Sequence, residues 1–166
     1  MSCNKKDAAG TTAANLSADS MKTAYMGIIQ AFETGNTADL DKYVAADSKD
    51  HQMMPGYPAG IEGLKKAIVD FKAAMPDGKY IVEDMRVDGD ILVARVKMSG
   101  TNTGPMMGMP ATGKKVTDMM FIDWVRWQNG KFAEHWGVGE DMKMMEQLGL
   151  MPPMGAPPAD SSKKAM

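Results

Sequence analysis

The sequence predicts an α+β domain in which helices pack on one face of a curved antiparallel sheet. Two long segments of its first half, Ala18 to Thr34 and Ile61 to Ala74, repeat apolar residues at helical spacing. Four strand-like runs then follow, joined in pairs at Asp88-Gly89 and Asn129-Gly130, dipeptides that favour two-residue hairpin turns. Helices that precede an antiparallel meander bury their apolar stripes against one face of it, and such an arrangement readily encloses a pocket.

Bulk properties narrow the function. The 166 residues suit one domain with a sizeable core. A net charge of −2 without a basic stripe argues against nucleic acid as a partner. No run is long and apolar enough to suggest a membrane span. A single cysteine, Cys3, excludes an internal disulfide and any cysteine-rich metal site. Methionine, at 19 residues, is the compositional anomaly.

Residues 1–16 read as a mobile tether: Cys3 follows a small residue and precedes a polar Ala/Gly/Thr/Asn stretch. This resembles the mature end of a bacterial lipoprotein, in which a lipid on Cys3 would anchor the domain to an extracytoplasmic membrane surface. An ordinary disordered terminus with a stray thiol is the alternative. The folded domain is expected over residues 17–150. Ser17 is a good N-cap for the first helix, whose stripe is Met21, Tyr25, Ile28 or Ile29, and Phe32, and Gly35-Asn36 stops it. A short helix from Ala38 to Val44 and a brief strand from Lys49 to Met54, containing His51, come next. The segment from Pro55 to Gly60 is a loop by composition. Ile61, Leu64, Ile68 and Phe71 line one side of the second long helix, which Pro76-Asp77-Gly78 ends. Strands are expected at Tyr80 to Val87, Ile91 to Met98, Val116 to Trp127 and Lys131 to Val138. Between the second and third, residues 100–113 are rich in Gly, Thr and Pro and read as a loop or distorted edge. A short helix from Glu140 to Leu148 closes the domain, and residues 151–166, with four prolines, form a loose tail.

The run from Val116 to Trp127 is apolar on both alternations, which predicts a central strand covered on both faces. Its outer set, Met120, Ile122 and Trp124, is too apolar to face water and points to a homodimer. Inside the run lies one acid, Asp123, between Phe121 and Val125 on the same face. A carboxylate there needs a partner or a cavity. A two-residue turn at Asn129-Gly130 would set Trp136 opposite Asp123. A three-residue loop, Gln128-Asn129-Gly130, would set His135 there instead, pairing imidazole with carboxylate and placing Gly137 on the same face. The second register is favoured for its chemistry.

Several local motifs, taken together, resemble a known family. Gly100-Thr101-Asn102-Thr103-Gly104, Gly108-Met109-Pro110-Ala111-Thr112-Gly113-Lys114, Gly130-Lys131-Phe132-Ala133-Glu134-His135-Trp136 and Gln147-Leu148-Gly149 fall in the order seen in the SnoaL-like polyketide cyclases, or ester cyclases, of the nuclear-transport-factor-two-like superfamily. His51 ahead of a loop and Gly60-Ile61-Glu62-Gly63 opening a helix extend the resemblance, which covers residues 18–150. It implies a cone-shaped fold with a deep, mostly apolar pocket between the helices and the concave sheet face. It also implies ring closure by intramolecular aldol condensation with side chains alone, without metal or cofactor. Three positions depart from the family pattern. The acid just after the His-Trp pair is replaced by Gly137, the histidine of the GTHTG-type loop by Asn102, and the second pocket histidine by Asp123.

Asp123 and His135 are therefore the candidate acid/base pair, in place of the family's own. Asn102 would donate to a developing enolate, and His51 would position the ligand. Tyr57 would gate the pocket mouth, while Phe121 and Met119 would line the wall beside Asp123. The expected ligand is a small, largely apolar carbonyl or polyketide-like compound. Each candidate has a plainer reading: Asp123 and His135 as a structural hydrogen bond, His51 as a structural position, Tyr57 as an exposed loop residue. A non-catalytic binding domain of an envelope lipoprotein is the competing function. The methionine clusters read as pliable packing around an apolar pocket, with Cu(I) ligation by thioethers as the lesser alternative.

Overall fold

The computed structural model describes residues 16–53, 55–106 and 108–151. Cys3, the expected lipid anchor and nearly all of the proline-rich tail lie outside the described residues.

The first helix, α1 (Ala18–Thr34), is capped by the Ser17 side chain, which accepts from the Ser20 amide, and it ends at left-handed Gly35. Its stripe buries Met21, Tyr25, Ile28 and Ile29 together. Helix α2 is a single turn (Leu40–Tyr43) that leads into β1 (Val44–Asp50). Helix α3 (Ile61–Ala74) buries Ile61, Leu64 and Ile68. Strands β2 (Lys79–Asp88), β3 (Ile91–Thr101), β4 (Lys115–Gln128) and β5 (Lys131–Gly139) form the meander, and α4 (Asp141–Gln147) follows.

The sheet order is β1-β5-β4-β3-β2, so β4 is the central strand, as its apolar composition predicts. Interruptions of register at Val82/Asp84, Met98/Gly100 and Arg126/Trp127 break the long antiparallel ladders and bend them. The core lies on the concave side. There Leu92, Ala94 and Val96 of β3 and Val125 and Trp127 of β4 pack with the buried stripes of α1 and α3. A second cluster at the other end gathers Met75, Met98, Met106, Met119 and Met144, so methionines from five separate segments serve as packing.

The structure departs from expectation in three places. The sheet is mixed rather than wholly antiparallel, because β1 pairs with β5 in parallel. The chain reaches β1 from the helical half of the fold, so its direction is not set by a hairpin. The first strand also begins earlier than expected, at Val44 rather than Lys49. Finally, the outer face of β4 is not fully covered: Trp124 is 50% exposed and Val138 of β5 is 76% exposed.

Candidate active site

The hairpin β4–β5 sets the chemistry. Asn129 and Gly130 both adopt positive φ, and Gln128 pairs with Lys131 across a two-residue turn. The favoured three-residue loop is thus not formed. The extra residue sits instead within β5, where the register shifts between Arg126 and Trp127 so that Ala133 is unpaired. Beyond this bulge Val125 faces His135 and Asp123 faces Gly137. His135 therefore shares the face of Asp123 without standing directly opposite it. Bulge and turn together achieve what the looser loop alone was expected to do.

The neighbours of Asp123 make room for its partners. Its cross-strand residues are Ala94 on β3 and Gly137 on β5, the two smallest side chains available. Over Gly137 the His135 ring reaches diagonally, bringing Nε2 to 3.1 Å from Asp123 Oδ1. A Cβ at residue 137 would stand 3.3 Å from His135 Cε1 and 3.4 Å from Nε2. On the other side the Tyr25 hydroxyl, from α1, donates to Asp123 Oδ2. The second ring nitrogen, His135 Nδ1, lies 3.0 Å from Asp50 Oδ1. Asp50 ends β1 and is the parallel partner of His135, so the sheet itself places this contact.

These four side chains line a cavity of about 1140 Å³. This volume is slightly above the range of about 300–1,000 Å³ usual for small-molecule sites. The rest of the wall is largely apolar, with Ile28, Phe32, Phe71, Tyr80, Phe121 and Met119 prominent. Burial would lower the basicity of His135, but hydrogen bonds and charge from Asp123 and Asp50 outweigh it and raise its pKa to about 9. Burial acts the other way on Asp50, yet the His135 hydrogen bond and charge, with the Gln52 amide, hold its carboxyl below the usual range. Burial and then the neighbouring Asp123 push the Tyr25 hydroxyl well above its ordinary value, so it stays protonated and donates.

Of the residues singled out from sequence, Asp123, His135, Tyr57, Phe121 and Met119 line this cavity. The Tyr57 hydroxyl donates to Asp70 Oδ2 at 2.8 Å, and Lys66 Nζ reaches the same oxygen at 2.7 Å. Two expectations fail. His51 opens the turn that follows β1, and its side chain leaves on the face opposite to that of Asp50. Its ring therefore stacks on Trp136 at 4.6 Å and bonds Glu134 on the outer side of the sheet, away from the ligand space. Asn102 is 2% exposed, but its amide is spent on its own loop: Nδ2 donates to Gly104 O, and Oδ1 accepts from the amide and hydroxyl of Thr112. Asn102 is not among the residues that line the cavity. Asp50 and Tyr25 are the site residues that sequence reasoning passed over. Tyr25 lay inside an apolar stripe, and Asp50 needed knowledge of the β1–β5 pairing.

A curved sheet closed by helices around an apolar cavity, with an acid/imidazole cluster in its wall, defines a nuclear-transport-factor-two-like pocket protein. Within that class the chain belongs to the SnoaL-like polyketide cyclase family, whose model matches residues 22–148. It is 24% identical over 125 residues to aklanonic acid methyl ester cyclase DnrD of Streptomyces peucetius, covering 74% of this chain and 86% of DnrD. Among solved structures, TsrD of Streptomyces laurentii superposes with a TM-score of 0.76 at 29% identity, covering 82% of this chain and 99% of TsrD. IdmH of Streptomyces antibioticus superposes with a TM-score of 0.65 at 28% identity, covering 78% and 98%.

Proposed function

We propose that this cyclase-family domain carries out cofactor-independent acid/base chemistry on a small, largely apolar carbonyl compound. The observation that carries the reading is the Asp123–His135–Tyr25 cluster in the wall of a large apolar cavity. A C–H bond next to a carbonyl is acidified by delocalisation of its electron pair onto oxygen. Asp123 and His135 form the proton-transfer pair, and the apolar wall excludes water from the intermediate. The proton leaves carbon for the pair, and the electron pair becomes an enolate. The enolate carbon then attacks a second carbonyl in the same molecule, with the proton returned to the new alkoxide, or is reprotonated at another position. The first outcome is an aldol-type cyclisation and the second an isomerisation.

The half-reaction is testable without the natural ligand. The protein is expected to catalyse exchange of the α-protons of β-tetralone in deuterated water, followed by proton NMR. Asp123→Asn is expected to slow this exchange by about a hundredfold or more while β-tetralone still binds. Equal exchange by the wild type and Asp123→Asn refutes the reading. A second reading, a non-catalytic ligand-binding domain, is favoured by Gly137 at the family's acid position. It predicts binding of the ketone with no exchange above buffer.

A further inference from the structure

We propose that Asp50 is a positioning residue that fixes the polarity of the acid/base pair, keeping both ring nitrogens of His135 as donors and leaving Asp123 as the base. This rests on the proton-transfer reading of the site and names the role of each member. A neutral imidazole has one N–H and one bare lone pair. In this site each nitrogen faces a carboxylate oxygen, Nδ1 toward Asp50 at 3.0 Å and Nε2 toward Asp123 at 3.1 Å. Either neutral tautomer would set a lone pair against a carboxylate, whereas the imidazolium satisfies both. The groups facing the ring are Asp50 from β1, Asp123 from β4 and, through Asp123, the Tyr25 hydroxyl from α1. Phe132 packs 6.0 Å away and brings no charge. With both nitrogens protonated, His135 has no lone pair with which to accept a proton. Asp123 does, and it lines the cavity. When Asp123 takes the proton from carbon, its hold on the Nε2–H and on the Tyr25 hydroxyl weakens. Those two donors are then free to turn to the enolate oxygen, so charge moves from carboxylate to ligand while the imidazolium stays beside it.

The ring's protonation state reads this directly. The sequence has two histidines, so the His135 signals are assigned by their loss in His135→Gln. In long-range nitrogen–proton spectra of isotope-labelled histidine, wild-type His135 is expected to show both nitrogens protonated at neutral pH and to titrate near 9. In Asp50→Asn the His135 midpoint is expected to fall by about one pH unit or more, because an amide no longer stabilises the cation. Asp50→Glu, which keeps a carboxylate, is expected to restore much of the shift. The alkaline limb of β-tetralone exchange is expected to follow the same midpoint in each protein. A wild-type His135 that is a single neutral tautomer at neutral pH overturns the proposal, as does an unchanged midpoint in folded Asp50→Asn. Should Asp50→Asn fail to fold, the wild-type spectrum and Asp50→Glu still decide. The spectra need no turnover, so a missing exchange reaction with a doubly protonated His135 would strike the catalytic reading and spare this one.

Discussion

At the scale of single residues, the site is a small charge lattice, and its protonation is linked to stability. His135 binds its proton more tightly in the folded chain, with its pKa raised from 6.5 to about 9. A group of this kind contributes stability that is fully present below the unfolded value and is lost as pH rises through the folded one. Asp50 has the opposite sign: its pKa is lowered, so its contribution is present above the unfolded value and lost as pH falls through the folded one. The stabilising window of the pair is thus bounded by Asp50 on the acid side and His135 on the alkaline side. The unfolding free energy is expected to fall by up to about 3 kcal/mol as pH rises from 6.5 through about 9, and His135→Gln should flatten that slope. Urea unfolding of both proteins across this range checks it, and parallel pH profiles would show that His135 carries no such linkage. Gly137 belongs to the same scale. Gly137 carries no side chain, and His135 leans across the space beside it.

At the scale of elements, the β4–β5 hairpin decides which side chains meet. Asn129 sits at φ 51 and Gly130 at φ 76, the conformations that a tight turn between twisted strands requires. Asn tolerates that region because its short polar side chain bonds locally, whereas Ala meets the full penalty for its Cβ. Asn129→Ala is expected to destabilise the fold by about 1 kcal/mol, and Asn129→Gly to be close to neutral. Chemical denaturation measures both, and equal stability of all three proteins would mean that the turn does not hold the register. The sequence made the place of this turn readable, though not its length, along with the cap at Ser17, the two long helices and the central place of β4. All of these are local patterns. The bulge at Ala133 was not readable, because neither Ala133 nor its neighbours carry a mark that distinguishes a bulge in β5 from a wider loop. Asp50 was hidden for a related reason. Its role depends on a parallel pairing between segments some eighty residues apart, and no periodicity reports that. His51 was misplaced because it lies in the turn just past the end of β1, where its ring goes to the outer surface and Asp50, one residue earlier, keeps the cavity side.

At the scale of the whole molecule, the two faces of the sheet have unlike tasks. The concave face is closed by α1 and α3 and holds the cavity. The outer face presents Ile122, Trp124 and Val138, with Trp124 directly across from Trp136 and the Arg126 guanidinium 5.3 Å from the Trp136 ring. A half-exposed tryptophan beside an exposed valine, rimmed by the His51–Glu134–Arg126 pairs, is an apolar centre with a polar border. A two-fold axis that brought the same patch of a second copy onto it would bury both apolar centres. The expected outcome is a homodimer at micromolar concentration in sedimentation velocity. Trp124→Glu is expected to convert it to a monomer, since burying an unpaired carboxylate on both sides of the axis costs more than the apolar contact returns. Because Trp124 points away from Asp123 and His135, the monomeric variant should keep β-tetralone exchange and the His135 titration unchanged. A wild-type chain that sediments as a monomer would remove the interface. A Trp124→Glu dimer would place it on another surface. Loss of the His135 titration in the monomer would show that the outer face supports the geometry of the inner one.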